Sequence, residues 1–331
     1  MANKQLIEKA GVGYALCRIP GLILTEQKTL IGYYECRKET GSDWADIDLK
    51  IIRSTNGGKD WQTVHLINSE GATLNNPVMF ANGADLHLLY CKNYRRIFHV
   101  VSHDDGMSFS EPVEITEVAD EIGCPFTVVA IGPGHGIVYN GRLVAPVWYA
   151  YDPNDLKAHH PSFIATIYSD DNGASWHMGE IIDRDLLKDP SECALAIDSE
   201  GQLVISIRNE CPEKQRALAY SKTGIDGWTT PVLEPNLVDP TCQGSMDHAN
   251  GRIYHVNCES SVYDYRQNLT LKVTSDNFKT VDSILIDDEG GYADLAVDGN
   301  TVYVLYERAV ARFGRDIERD GMYFQTIDYP V

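Results

Sequence analysis

Short apolar runs separated by turn-forming residues recur along the whole chain. Five of these runs are rich in β-branched and aromatic residues, and Gly, Asn or Asp bounds them; they span residues 86–90, 97–101, 143–148, 203–207 and 301–306. This composition is typical of β-strands. Amphipathic helical periodicity is nearly absent, and the segment 184–188 is predicted to form at most a short turn. The pattern therefore predicts an all-β protein.

A turn motif repeats between the apolar runs. Its template, Ser-x-Asp-x-Gly-x-Ser/Thr-aromatic, fits residues 102–109 and 169–176 well, and partial copies start at Ser54, Ser221 and Thr274. We call this motif the Asp box. The Asp oxygen is expected to accept hydrogen bonds from backbone N–H groups two residues on, while Gly supplies the positive φ that the turn needs. The aromatic residue is expected to pack the turn against a neighbouring unit.

The spacing of the Asp boxes predicts the architecture. Successive copies start 48, 67, 52 and 53 residues apart, and a repeat of about fifty residues with about four strands is typical of a β-propeller. A chain of 331 residues holds about six such repeats. Because no Pro-, Gly- or Ser-rich linker interrupts it, we predict one domain over residues 1–331, a six-bladed β-propeller with Asp-box turns.

Charge and composition exclude several classes of function. The chain carries 28 Lys and Arg against 48 Asp and Glu, a net charge of −20, which argues against nucleic acid as a partner. No apolar run is long enough to span a membrane, and the N-terminal segment lacks the apolar core of a signal peptide. We therefore expect a cytoplasmic protein, unless the chain was trimmed before its first Met. The eight cysteines show no metal-binding spacing, which favours free thiols.

A series of short motifs runs through the whole chain. They are Arg-Ile-Pro at 18–20, Gly-Ser-Asp-Trp at 41–44, Gly-Pro-Gly at 132–134, Ser-Glu at 191–192, Arg-Asn at 208–209, Asp-Pro-Thr-Cys-Gln-Gly-Ser at 239–245, Arg-Gln-Asn-Leu-Thr at 266–270, Gly-Tyr-Ala-Asp-Leu at 291–295 and Leu-Tyr-Glu at 305–307. Each motif alone is weak. Their joint order resembles the bacterial-type exo-sialidase (neuraminidase) family, whose members are six-bladed propellers with Asp boxes. For this chain we expect such an enzyme, without a metal or cofactor.

The resemblance implies a carboxylate-binding site built from arginines. Arg18, Arg208 and Arg266 match the triad that holds the carboxylate of a sialic acid, and Glu307 matches the acid that balances Arg18. The forked N–H groups of a guanidinium fit the two oxygens of a carboxylate and keep their charge. A local cluster of this kind would overcome the repulsion between an acidic protein and an anionic ligand.

The resemblance also implies the catalytic groups. Tyr292 matches the nucleophile, Glu192 its base, and Asp43 the general acid/base, while Arg37 is expected near the glycone. A neutral phenol is not repelled by the carboxylate on the anomeric carbon, but its pKa near 10 requires a base nearby. Two successive displacements would retain the anomeric configuration. The expected partners are sialylated glycans or free sialosides.

One position departs from the family pattern. The family usually has an acidic residue near the start of the second blade, where this chain has Asn76, an uncharged hydrogen-bonding group. The substituent recognised there, and therefore the nonulosonic acid, stays open. Candidate walls for an N-acetyl group are Met79, Phe80, Phe126 and Trp148, and the histidines, including His159 and His160, are interpreted as loop or packing residues.

Two alternatives remain at this stage. The first is a glycosidase for another 2-keto sugar acid, such as a deaminated sialic acid (KDN) or Kdo, which the same arginines would bind. The second is a carbohydrate-binding propeller without turnover. Loss of the Tyr, Glu and Asp set would indicate the second alternative, and all three positions are filled here. Linkage preference, hydrolysis against transfer, and oligomeric state are left undetermined.

Overall fold

The computed structural model describes residues 4–182, 185–262, 266–311 and 317–329. Of these described residues, 54% are in strands and 2% are helical, and the helical part is a 3-10 helix at Thr116–Ile122. Six sheets are arranged as the blades of a propeller. The predicted all-β, six-bladed fold is thus confirmed. None of the helical structure in the described residues is long and apolar enough to span a bilayer.

The strands follow one another from blade to blade. β1 spans Gln5–Lys9 and belongs to blade 6. Blade 1 contains β2 (Leu16–Leu24), β3 (Leu30–Arg37), β4 (Ile47–Ser54) and β5 (Gln62–Ile67), and blade 2 contains β6 (Leu74–Asn82), β7 (Asp85–Lys92), β8 (Arg96–Ser102) and β9 (Val113–Glu114). Blade 3 contains β10 (Val128–Ile131), β12 (Ile137–Tyr139), β13 (Arg142–Ala150), β14 (Ser162–Ser169) and β15 (His177–Met178), while β11 (Gly134–His135) pairs in parallel with β6.

The second half of the chain repeats the same antiparallel pattern. Blade 4 contains β16 (Cys193–Ile197), β17 (Leu203–Ile207), β18 (Gln215–Ser221) and β19 (Val232–Val238), and blade 5 contains β20 (Ser245–Ala249), β21 (Arg252–Cys258), β22 (Leu269–Thr274) and β23 (Asp282–Asp287). Blade 6 contains β24 (Gly290–Asp298), β25 (Thr301–Ala311) and β26 (Ile317–Asp328). All five runs predicted as strands lie within strands of the structure, in β7, β8, β13, β17 and β25.

Blade 6 explains why five Asp boxes serve six blades. Each Asp box joins the third strand of its blade to the fourth, as at Ser102 after β8. In blade 6 the third strand is β26 and the fourth is β1, which pair with Gln5 opposite Phe324. These two strands are far apart in sequence, so no short turn connects them. Hydrogen bonds between β1 and β26 close the ring instead.

The Asp box in blade 2 shows how the turn is held. Asp104 Oδ1 accepts a hydrogen bond from Ser108 N at 2.9 Å, four residues on rather than the two expected. The nearer donors are taken by Ser102 Oγ, which accepts from Asp104 N at 3.4 Å and from Gly106 N at 3.0 Å. In the blade 3 copy, the ring of Trp176 lies 5.6 Å from Phe80 of blade 2, so the aromatic residue joins neighbouring blades.

The alternation of strand directions separates the Asp boxes from the opposite end of the propeller. Loops from the second to the third strand of a blade, such as residues 38–46 in blade 1, lie at the end away from the Asp boxes. The inner strands β2, β6, β16, β20 and β24 begin at this same end. Ligand sites of propellers form where loops from several blades meet around the axis.

A buried ion pair fills the middle of the propeller. His135 Nδ1 of β11 donates a hydrogen bond to Asp294 Oδ1 of β24 at 2.8 Å. The same carboxylate accepts from Leu22 N of β2 at 2.8 Å and from Ser245 Oγ of β20, and it is fully buried. Burial opposes protonation of His135, but the charge of Asp294 raises its pKa to about 9. One carboxylate therefore joins three blades and β11.

Candidate active site

A pocket of about 140 Å³ opens at the end where the inner strands begin. Seven of the nine predicted site residues line this pocket: Arg18, Asp43, Asn76, Glu192, Arg208, Arg266 and Tyr292. The other two, Arg37 and Glu307, are buried and contact pocket-lining groups from behind. The predicted residues come from blades 1, 2, 4, 5 and 6 and converge on one site.

Irregular pairing of the inner strands places three of these side chains. Arg18, Asn76 and Tyr292 are each the third residue of an inner strand, and the pairing with the second strand shifts register at or beside each of them. Ile19 and Asn76 adopt positive φ angles of 57° and 53°. A β-bulge bends the strand and re-aims its side chains, and bulges are common beside active sites.

Carboxylates hold two of the arginines in position. Arg18 Nε lies 3.2 Å from each oxygen of Glu307, which also accepts a hydrogen bond from Ile19 N at 2.8 Å. Arg208 Nη1 forms an ion pair with Glu192 Oε2. Since Arg18 and Glu307 are 5% and 2% exposed, respectively, their charges need each other to be tolerated in the interior.

Three guanidinium groups surround one phenol. The guanidinium carbon of Arg18 lies 5.1 Å from the centre of the Tyr292 ring, and that of Arg266 lies 5.0 Å from it. Arg208 Nη1 donates a hydrogen bond to Tyr292 Oη at 2.9 Å. Arg18 Nη2 and Arg208 Nε are buried and have no hydrogen-bond partner among the residues that the structure describes. An anion with two oxygens would supply acceptors for such groups.

The phenol of Tyr292 also contacts a carboxylate. Its Oη lies 2.8 Å from both oxygens of Glu192 and donates to this group. Burial raises the pKa of Tyr292, the negative charge of Glu192 raises it further, and Arg208 and Arg266 oppose both effects. The phenol is therefore protonated at neutral pH and directed at a base that can accept its proton.

Asp43 lies at the rim, in the loop between β3 and β4. Its side chain is 44% exposed, and its Oδ1 lies 2.7 Å from Arg37 Nη2 and 3.4 Å from Arg18 Nη1. Partial burial opposes ionisation of this carboxyl, but Arg37 and then Arg18 lower its pKa to about 2. Asp43 is thus ionised in the ligand-free pocket at neutral pH.

Aromatic residues complete the wall. Tyr94, Trp148 and His159 line the pocket, and the His159 ring lies 5.0 Å from that of Tyr94 and 5.2 Å from that of Trp148. Trp148 was one of four candidate walls for an N-acetyl group. The other three pack elsewhere: Met79 lies in the core toward blade 1, Phe80 lies in the core toward blade 3, and Phe126 packs against Tyr149.

Tyr94 and His159 were not singled out as site residues from the sequence. The sequence predicts a loop or packing role for His159, which both packs against aromatic rings and lines the pocket. Tyr94 and His159 lie between the second and third strands of blades 2 and 3, the position that Asp43 and Arg266 occupy in blades 1 and 5. That regular placement was the signal available for finding them.

One group beside the pocket has ligand types that metals use. His160, Asp189 and Glu210 place three potential ligand atoms within 4.8 Å of one another, with no other such group found among the described residues. However, the two ring nitrogens of His160 face different carboxylates, Nδ1 toward Asp189 at 4.0 Å and Nε2 toward Glu210 at 3.5 Å. Lys188 Nζ also lies 3.9 Å from Glu210. This arrangement is that of a surface ion-pair cluster.

The chain matches known proteins over most of its length. Residues 30–304 match the family model described as BNR repeat-like domain. Sialidase-3 of Rattus norvegicus is 34% identical over 173 residues, covering 48% of this chain and 40% of the relative. The sialidase of Bacteroides fragilis is 26% identical over 343 residues, covering 90% of this chain and 61% of the relative. The chain therefore spans about 40–61% of the length of these two curated relatives.

The fold is shared with a solved structure. The Hadza microbial sialidase Hz136 superposes with a TM-score of 0.80 and 22% sequence identity, covering 96% of this chain and 66% of that chain. The family resemblance found in the sequence is confirmed by these matches, which agree with the propeller architecture and its Asp boxes.

Proposed function

The chain belongs to the BNR repeat-like family of sialidase-type propellers, and we propose that it is a retaining exo-α-sialidase acting through a tyrosyl-enzyme intermediate. One observation carries this proposal. Tyr292 Oη lies 2.8 Å from Glu192 and 2.9 Å from Arg208 Nη1, beneath the guanidinium groups of Arg18 and Arg266. A protonated phenol paired with a base, inside a cluster of cations, suits attack on a carbon that bears a carboxylate.

Substrate binding begins with this carboxylate. Arg18, Arg208 and Arg266 would hold its two oxygens, and the buried Arg18 Nη2 and Arg208 Nε would gain the acceptors that they lack among the described residues. Each charge-assisted hydrogen bond contributes roughly 1.5–3 kcal/mol. Binding in this way places the anomeric carbon next to Tyr292 Oη.

In the first step, Glu192 accepts the proton of Tyr292 as the phenol oxygen bonds to the anomeric carbon. The bond from that carbon to the leaving oxygen breaks, and Asp43 gives the leaving oxygen a proton. In the second step, Asp43 takes a proton from water, which attacks the anomeric carbon. The carbon–phenol bond breaks and Glu192 returns the proton to Tyr292. Two displacements retain the anomeric configuration.

The charges of the site support the uptake of a proton by Asp43 when substrate binds. Four arginines, namely Arg18, Arg37, Arg208 and Arg266, face four carboxylates, namely Glu35, Asp43, Glu192 and Glu307. A bound carboxylate adds a fifth negative charge, which favours the uptake of one proton. Asp43 is the most exposed of the four acids and lies at the rim, where the leaving group would emerge.

The proposed substrates are sialylated glycans or free sialosides. A second candidate is a glycosidase for another 2-keto sugar acid, such as KDN or Kdo, because the neutral Asn76 lines the pocket where the family usually has an acid. A panel of fluorogenic α-ketosides of sialic acid, KDN and Kdo would rank these substrates by kcat/KM.

The direct test of the mechanism is covalent trapping. After exposure to a fluorinated sialosyl donor, mass spectrometry of the digested protein should find the sugar attached to Tyr292. The Tyr292→Phe variant should fold, bind a carboxylate inhibitor and acquire no adduct. A label on any other residue, or turnover by Tyr292→Phe close to that of wild type, would contradict the proposal. Binding without any labelling or turnover would indicate the non-catalytic propeller.

A further inference from the structure

A buried carboxylate behind the pocket is not part of the mechanism described so far. Glu35 lies in β3, is 1% exposed and does not line the pocket. Its Oε2 accepts from Arg37 Nε at 3.2 Å and from Arg37 Nη2 at 2.8 Å. Its Oε1 accepts from the backbone N of Asn76, in blade 2, at 3.0 Å. Glu35 therefore connects two residues that were expected at the glycone.

Arg37 is shared between two carboxylates. Its Nη2 lies 2.8 Å from Glu35 Oε2 and 2.7 Å from Asp43 Oδ1. The Arg37 side chain is fully buried, and a buried guanidinium needs a compensating charge. Glu35 supplies that charge from inside the blade, and Asp43 supplies it from the rim.

The two carboxylates differ in what they must do. Asp43 has to give up and regain a proton in the proposed reaction, whereas Glu35 is sealed from solvent. Burial raises the pKa of Glu35, but the charge of Arg37 and the hydrogen bond from Asn76 N oppose this effect and favour a fixed counter-charge. Without Glu35, Asp43 alone would balance the charge of Arg37. Attraction of that strength would hold Asp43 ionised, and an ionised carboxylate cannot protonate a leaving group.

We propose that Glu35 is a positioning residue for the acid/base step: by sharing Arg37 with Asp43, it lets the arginine orient Asp43 while leaving that carboxyl able to carry a proton when substrate is bound. This inference rests on the proposed sialidase function. It adds a role for a residue that touches neither the substrate nor the reacting atoms.

The inference has a kinetic signature, because leaving groups differ in their need for an acid. A sugar hydroxyl is a poor leaving group and requires a proton as its bond to the anomeric carbon breaks. An acidic phenol, such as 4-nitrophenol, leaves as an anion and requires little help. A variant impaired in the acid step loses activity on sialosyl-lactose and retains much of it on the aryl sialoside. A merely structural defect lowers kcat/KM for both substrates alike.

The test is Glu35→Gln, which retains the size of the side chain and removes its charge. General acid catalysis is worth about 10²–10⁴-fold, so we expect kcat/KM for sialosyl-lactose to fall by about tenfold or more relative to that for 4-nitrophenyl sialoside. Glu35→Asp withdraws the carboxylate by one methylene group and is expected to shift the same ratio by about threefold. Glu35→Asp becomes the test variant if Glu35→Gln does not fold.

The matched control is Asp105→Asn at the Asp-box end of the propeller. Asp105 is 6% exposed and accepts hydrogen bonds from Arg53 Nη2 and Thr29 Oγ1, each at 2.6 Å. Its loss should lower the thermal midpoint and leave the ratio of the two kcat/KM values unchanged. An unchanged ratio in a folded Glu35 variant would overturn the inference. A wild-type protein that cleaves neither substrate would instead overturn the proposed function.

Discussion

Replacing Glu192 by Gln tests the central pair of the proposed site. In wild type, both oxygens of Glu192 lie 2.8 Å from Tyr292 Oη. Glu192→Gln retains the shape of the side chain and an oxygen that accepts a hydrogen bond, but it removes the negative charge and the ability to take a proton. Arg208 also loses the partner of its Nη1 ion pair.

The expected loss follows from the role of a general base. Such a base contributes about 10²–10⁴-fold to the rate, which corresponds to about 2.7–5.4 kcal/mol of barrier at 1.36 kcal/mol for each factor of ten. The upper part of this range applies here, because burial keeps the phenol protonated and water is a much weaker base than a carboxylate. We therefore expect kcat of Glu192→Gln on an aryl sialoside to fall by about 10³-fold or more.

The pH dependence of the residual activity separates this role from a loss of structure. The charge of Glu192 raises the pKa of Tyr292 in wild type, whereas Arg208 and Arg266 lower it. Without Glu192, solvent hydroxide must remove the phenol proton, so the residual rate should increase about tenfold per pH unit in the alkaline range until the phenol ionises. The assay is initial-rate fluorimetry with an aryl sialoside from neutral to alkaline pH.

Asp239→Asn serves as the control for Glu192→Gln. Asp239 is a buried carboxylate that lies 3.3 Å from Arg216 Nη1 and does not line the pocket. This variant should lose thermal stability but retain the wild-type pH profile. Activity of Glu192→Gln within about threefold of wild type would refute the assignment of Glu192 as the base. So would a residual rate that does not change with pH.

Three further predictions address binding and stability. Arg208→Lys should weaken a carboxylate-bearing inhibitor by about 10–100-fold in a competition assay, because an ammonium cannot reproduce the guanidinium fork; an unchanged inhibition constant would argue against the arginine cluster. The charge of Asp294 raises the pKa of His135 to about 9. The ion pair should therefore stabilise the fold by about 3 kcal/mol below pH 6.5, and this stabilisation should be lost as the pH rises through 9. Thermal midpoints of wild type and His135→Gln should accordingly converge at alkaline pH, and a constant difference would contradict the ion pair. Asp104→Ala removes the acceptor of Ser108 N in an Asp box and should lower stability by about 1–2 kcal/mol in urea unfolding, with kcat/KM unchanged; a loss of activity at unchanged stability would contradict a purely structural turn.

The architecture could be predicted from the sequence because each blade repeats the same pattern of strands and turns. Apolar runs such as 203–207 form strands, and the Asp boxes mark the third-to-fourth turn of five blades. The sequence did not show which blade lacks the turn, because pairing between β1 and β26 joins segments that are distant in sequence. The predicted donor to the Asp-box carboxylate was wrong, because Ser102 Oγ accepts hydrogen bonds from the nearer N–H groups.

At the pocket, the sequence was informative where residues sit in short motifs and uninformative where the site depends on packing. Arg18, Glu192 and Tyr292 lie in motifs that could be recognised one by one, and the structure brings them together. Met79 and Phe80 follow Asn76 on β6, but pairing shifts register between Asn75 and Val78, so alternation did not reveal which side chains face the pocket.

The contribution of Glu35 was hidden for another reason. Nothing in the sequence distinguishes a buried counter-ion from an ordinary strand residue. Only the distances from its carboxylate to Arg37 and from Arg37 to Asp43 reveal that one arginine serves two acids.

The ion pair of His135 and Asp294 also limits the shape of molecule that the pocket can accept. Asp294 lies two residues beyond Tyr292 on β24. Together with His135 and Ser245 it fills the propeller axis there, so the pocket is closed at its inner end. A polymer chain cannot pass through a pocket that is open at one end only. In the proposed reaction, only the tip of a glycan would enter, with its remaining sugars outside, and the released monosaccharide would leave by the same opening.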